Sequence, residues 1–123
     1  MKLPEKEEQL MEIIWNADKI FMKEILNAYP KPKPAPTTIA TLLKRLIDKK
    51  TISYVEYGNS RQYFPNIKKA DYFSNQVNGL IKNFFNDSAS QFASFFTKET
   101  NLSNDELLDL QKIIEQQIKN QSK

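Results

Sequence analysis

TTIATLLKRLIDKK, residues 37–50, places Ile39, Leu42, Leu43, Leu46 and Ile47 at i, i+3, i+4, i+7 and i+8. That spacing predicts a helix with one core-facing stripe. Thr37, Thr38, Thr41, Lys44 and Arg45 fall off the stripe, near the start and along the outer side. Threonine is a mediocre helix former, so three threonines within five residues are better read as contacts than as filler. Pro36 suits a first helical turn, where a missing N–H costs nothing. Short hydroxyls at a helix N-terminus can approach phosphates and base edges closely. A solvent face of this kind is expected to meet nucleic acid.

Upstream, Pro4 and then EKEEQLMEIIWN read as a first helix, with acids in its opening turn and Leu10, Met11, Ile13, Ile14 and Trp15 toward its end. Phe21 to Tyr29 reads as a short second helix, with Phe21, Ile25 and Tyr29 at i, i+4 and i+8. Pro30, Pro32, Pro34 and Pro36 then forbid helix interior and predict a stiff connector. Downstream, ISYVEY and RQYFPN are rich in β-branched and aromatic residues and are separated by Gly58, Asn59 and Ser60. This is a hairpin signal. Three helices followed by a hairpin, with Arg61 beside its tip, is the order of a winged helix-turn-helix. The fold class expected is mainly α with a small β-hairpin.

The chain of 123 residues carries a net charge of only +3, but that charge is unevenly placed. Residues 31–69 hold nine basic and two acidic side chains, whereas residues 70–123 hold five basic and seven acidic. A phosphate backbone would favour the first span. The absence of Cys and His removes disulfides, thiol nucleophiles, the commonest general base and the usual metal ligands. With two glycines, Gly58 and Gly79, there is no phosphate-cradling loop either, so no enzyme, cofactor or metal centre is expected. The acids Glu5, Glu7, Glu8 and Glu12, and Asp105, Glu106 and Asp109, sit at helix starts, where dipole and solvation account for them. No apolar run approaches the roughly 18 to 20 residues of a membrane span, and PEKEEQ is not a signal peptide. The expectation is a soluble cytoplasmic protein with no membrane insertion.

After the hairpin, a long helix from Lys68 to Asn86 carries Phe73, Val77, Leu80, Ile81, Phe84 and Phe85 on one stripe. Ala89, Phe92, Ala93, Phe95 and Phe96 continue in a short helix. Ser103 and Glu106 form an expected capping box for a last helix bearing Leu107, Leu110, Ile114 and Ile118, with a frayed tail from Asn120 to Lys123. Three helices in about 50 residues are too few to enclose their own core well. Burial in a second copy is the economical solution, and folding back on the N-terminal domain is the alternative. The expected division is residues 1–67 as a winged-helix DNA-binding domain and 68–123 as a helical dimerisation region.

EEQLMEIIW in the first helix, PTTIATLLKRL in the third, the hairpin YGNSRQYFP and LSNDELLDLQKII near the end occur in an order and spacing that resembles the BlaI/MecI/CopY (penicillinase repressor) family of bacterial transcriptional repressors. The likeness covers nearly the whole chain. It implies a homodimer whose winged helix binds a palindromic double-stranded DNA operator and whose C-terminal helices dimerise. The dimerisation positions would be Phe73, Val77, Leu80, Ile81, Phe84, Phe85, Phe92, Phe96, Leu107, Leu110 and Ile114. By position, Thr38, Thr41 and Arg45 match DNA-contacting places in the family, and Thr37 replaces a common lysine. Lys44 and Arg61 are added on electrostatic grounds. Ala40 stands where the best-known members have arginine, so one base or phosphate contact is missing. Antibiotic-responsive members are cut at an Asn-Phe bond by a protease linked to a membrane sensor. Here Phe95 and Phe96 stand at that place, either as a cleavage site or as ordinary core aromatics. Copper-responsive members sense metal through C-terminal cysteines, which this chain lacks.

Two rivals stay open on sequence. One resembles the PadR regulators, with an effector pocket in the C-terminal helices. The other is a winged-helix adaptor that binds no DNA, against which the basic span 31–69 argues.

Overall fold

The computed structural model describes residues 2–122. Its elements run α1 (Glu5–Ala17), β1 (Ile20–Phe21), α2 (Met22–Ala28), α3 (Pro36–Asp48), β2 (Ile52–Tyr57), β3 (Ser60–Pro65), α4 (Lys69–Phe84), α5 (Ala89–Glu99) and α6 (Asn104–Gln121). The three strands form one antiparallel sheet in the order β1-β3-β2. A compact unit ends at Gln76 and a second begins at Val77, within α4.

The core of the first unit is built from the predicted stripes. Leu10, Met11 and Ile14 of α1, Ile25 of α2, and Ile39, Leu43 and Leu46 of α3 are buried, and Ile52 and Tyr63 cover them from the sheet. Leu42 is also buried, and Ile47 packs at the margin. Trp15 is half-buried and donates its indole N–H to the Ile67 carbonyl at 2.9 Å, so it is packing rather than a stacking platform for a ligand.

Sequence and structure part at several places. Phe21 belongs to β1 and stands just before α2, where its N–H donates to Glu24 Oε1 at 3.0 Å. The helix therefore starts one residue later than its apolar spacing suggests, because Ile20 and Phe21 pair with Tyr63 and Gln62 of β3. The acids of α1 do more than meet a dipole and solvent. Glu7 is only 2% exposed and pairs with Lys49 at 2.6 Å. Glu12 pairs with Lys69 at 2.6 Å, and Glu8 accepts a hydrogen bond from the Tyr72 hydroxyl at 2.5 Å.

That tyrosine joins the first turns of α4 to the N-terminal segment. Its oxygen also accepts the Leu3 N–H at 2.8 Å, and its ring lies 5.6 Å from Trp15 and 5.0 Å from Phe73. These contacts place the start of α4 with the winged-helix core.

In the second unit, α4 ends at Phe84, and Asn86 and Asp87 turn the chain with positive φ of 54° and 58°, a region these two side chains tolerate. Ser88 caps α5 by accepting the Gln91 N–H. Ser103 and Glu106 form the reciprocal capping box expected for α6, at 3.0 and 3.1 Å. The last helix continues through Gln121, so Asn120 and Gln121 are helical rather than frayed, and Lys123 lies outside the described residues.

Candidate nucleic-acid interface

α3 is amphipathic in a way that sorts its residues cleanly. Ile39, Leu42, Leu43 and Leu46 are buried, while Thr37, Thr38, Ala40, Thr41, Lys44 and Arg45 are all exposed. No side chain caps its start, and Pro36 has no N–H. Ile39 N–H is bonded to the Ala35 carbonyl, so the N–H groups of Thr37 and Thr38 are the open donors of the first turn. Thr41 donates its hydroxyl back to the Thr37 carbonyl at 3.1 Å, leaving its oxygen lone pairs facing out. At the other end, Lys50 takes a left-handed φ of 64° and the Thr51 N–H returns to the Leu46 carbonyl at 3.0 Å. This closure sends the chain directly into β2.

The hairpin pairs Tyr57 with Ser60 across a two-residue turn. Gly58 has φ of 60° and Asn59 is not in the positive region, the pattern of a type II′ turn, which puts glycine first. Arg61 lies in β3 with its guanidinium carbon 4.2 Å from the centre of the Tyr54 ring and one nitrogen 3.9 Å from Glu56. The first contact is a cation–π contact and the second a loose ion pair, each worth little at an exposed site. Arg61 keeps its charge at the surface while its direction is held.

A groove of about 890 Å³ runs between α3 and the hairpin, with Lys44 and Arg61 both on its walls. Thr37, Thr38, Thr41 and Arg45 lie outside this groove on the rest of the exposed α3 face. Of the basic side chains in residues 31–69, several are committed elsewhere. Lys33 donates to the carbonyls of Leu26, Asn27 and Tyr29, capping the end of α2, while Lys49 and Lys69 are paired with α1. Among the described residues, Lys31, Lys44, Arg45, Lys50 and Lys68 have no carboxylate within ion-pair distance. Sequence reasoning could count these charges but could not tell which were spent, because the pairs span 42 and 57 residues.

In the second unit, Val77, Leu80, Phe84 and Ile114 are exposed, with Phe84 at 76%. Ile81, Phe85, Phe92, Phe96, Leu107 and Leu110 are half-buried. Phe73 is exposed along one edge but packs its ring on Trp15 and Tyr72 in the first unit. Phe85 meets Phe92 and Phe95 at 5.5 and 5.4 Å, and Phe96 stacks on Phe92 at 6.0 Å. Leu108 and Ile113 are also exposed apolar positions, which the single-stripe reading of α6 passes over. No described helix is long and apolar enough to cross a membrane.

The sequence profile of the penicillinase repressor family matches residues 3–116. The chain belongs to that family. A penicillinase repressor of Bacillus licheniformis is 28% identical over 116 residues, covering 94% of this chain and 91% of its own. The solution structure of the DNA-binding domain of the repressor BlaI superposes with a TM-score of 0.52 at 32% identity, over 58% of this chain and 88% of that one. Oxidised MarR from E. coli gives a TM-score of 0.51 over 95% of this chain and 76% of its own; at 14% identity that likeness concerns the fold alone. The penicillinase repressor match thus reaches both units, including α4, α5 and α6 as far as residue 116, and the architecture is the expected one, mainly helical with a small antiparallel sheet.

Proposed function

We propose that this penicillinase repressor family member is a sequence-specific DNA-binding transcriptional repressor that covers a palindromic operator as a homodimer. In this reading α3 enters the major groove, Thr37, Thr38, Thr41 and Arg45 meet bases and phosphates, and Lys44 and Arg61 follow the backbone beside the hairpin. The observation that carries it is the exposed face of α3. Its polar residues, open N–H groups and unpaired cations are set on the side opposite the buried Ile39, Leu42, Leu43 and Leu46. The exposed apolar residues Val77, Leu80, Phe84 and Ile114 support a second copy as their cover, since scattered single residues are ordinary but a helical row is not. Acting on an operator would place the protein in the bacterial cytoplasm.

The family resemblance offers a membrane-sensor-linked protease as a further partner, acting at Phe95-Phe96. That bond lies inside α5 with Phe96 stacked on Phe92, so cutting there requires the helix to open first. Aromatic packing is the role the geometry favours for both residues.

Sedimentation velocity of the chain with a duplex from its own upstream DNA tests the assembly. Two chains per duplex are expected, and a saturated complex with one chain would overturn the dimeric reading.

A further inference from the structure

A second cavity, about 520 Å³, lies between α1, the proline connector and the start of α3. We infer that it is an effector site for a small amphipathic carboxylate, an apolar body of one or two rings with a single anionic end. The volume is in the range of sites that take ligands of that size.

Its walls select this chemistry. Ile13 from α1, Leu42 from α3 and the connector's Pro30 and Pro32 all line it, which suits an apolar body. Lys6 and Lys31 stand at the cavity and have no carboxylate partner among the described residues. Glu12, the carboxylate on the wall, is already held by Lys69. The charge balance favours an anion, and an ammonium ligand would meet two lysines of like charge.

Tyr29 supplies the most telling feature. It lines the cavity, it is 9% exposed, and its hydroxyl is the buried side-chain oxygen without a hydrogen-bond partner among the described residues. Burial pushes its pKa above the ordinary tyrosine value, so the phenol keeps a proton to donate. Buried hydroxyls normally find a partner, and an orphan calls for explanation. The hydroxyl is closed to solvent, so an acceptor reaches it only when the wall of the cavity shifts. Pro30, Pro32 and Pro34 carry no N–H to join a backbone ladder, so the connector is fastened through the Lys33 ammonium on the Leu26, Asn27 and Tyr29 carbonyls, and a shift of this wall has to strain or break those bonds.

Thr38 links the cavity to the proposed DNA face, since it lines the one and belongs to the other. A ligand that moves the connector moves the residues leading into Pro36 and Thr37. This consequence rests on the proposed operator binding, while occupancy of the cavity does not.

The test begins without DNA. Calorimetric titration of the full chain with 2-naphthoate is expected to show saturable binding, with 2-naphthamide and 2-naphthylmethylamine at least tenfold weaker. Replacing both Lys6 and Lys31 with Ala should weaken naphthoate at least fivefold without lowering Tm. Tyr29→Phe should weaken it too while raising Tm, because it removes an unpaired buried hydroxyl. Absence of naphthoate binding at millimolar concentration, or equal binding of the amide unaffected by these variants, would overturn the site. A fivefold or greater change in upstream-duplex affinity at saturating naphthoate supports coupling, and unchanged affinity with the site occupied overturns the effector role. Should no duplex bind under any condition, the operator reading fails, while calorimetry still judges the cavity by itself.

Discussion

Arg45 and Tyr72 represent two different jobs a single side chain can do here. Arg45 is exposed, has no acidic partner among the described residues and sits two turns beyond the open N–H groups of α3. If it meets a phosphate, Arg45→Ala makes the fall of log affinity with log salt shallower by about 0.9 for each phosphate that the arginine neutralises. Titrations of the variant at several salt concentrations read this directly, and an unchanged slope would remove Arg45 from the interface. Tyr72 is structural: its oxygen joins the Leu3 N–H to the Glu8 carboxylate. Tyr72→Phe leaves that N–H without its partner and should cost about 1–3 kcal/mol in urea unfolding. Burial first, and then the hydrogen bond to Glu8, holds the Tyr72 pKa above the ordinary tyrosine value. A folded value above the unfolded one means that its contribution is complete below the unfolded value, about 10, and is lost as pH rises through the folded value. Stability of the parent chain should therefore fall in that alkaline range, and the phenylalanine variant should show a shallower decline. The role of Tyr72 is invisible in the sequence, since its partners lie 64 and 69 residues away.

Elements that announce themselves by periodicity are legible in the sequence, and those fixed by tertiary pairing are not. α3 follows its five-residue apolar stripe and the Pro36 signal, and the hairpin turn follows from Gly58 at a position that needs positive φ. β1 has two residues, too short for alternation to show, and exists because β3 offers an edge at Gln62 and Tyr63. The polar tail of α6 resembles a frayed end, but its capped start and helical spacing carry it to Gln121. The candidate interface is readable to the extent that it lies on one helix; the division of lysines into paired and unpaired is not. In α4 the row Val77, Leu80 and Phe84 makes its own prediction. Phe84→Glu puts a charge where a second copy would have to bury it, and should shift the protein to monomer in sedimentation equilibrium and weaken operator binding at least tenfold. A variant that stays dimeric would move the interface elsewhere.

At the scale of the whole molecule, a basic reading unit is joined through α4 to a unit whose apolar side chains are incompletely covered. The first unit carries its own core, so removal of residues beyond Asn86 should leave a folded winged helix that binds its operator much more weakly, because two linked half-sites reinforce each other through effective concentration. Circular dichroism and duplex titration of the truncated chain check both halves of that statement; normal binding by a folded truncated chain would refute it. The most direct measurement is fluorescence anisotropy of the full chain on its own upstream DNA and on a shuffled duplex of the same length, at near-physiological salt. Tight binding to the upstream duplex is expected, with at least a hundredfold weaker binding to the shuffled one and saturation at two chains per duplex. Equal and weak binding to both would reduce the α3 face to a non-specific electrostatic contact and contradict a sequence-specific repressor.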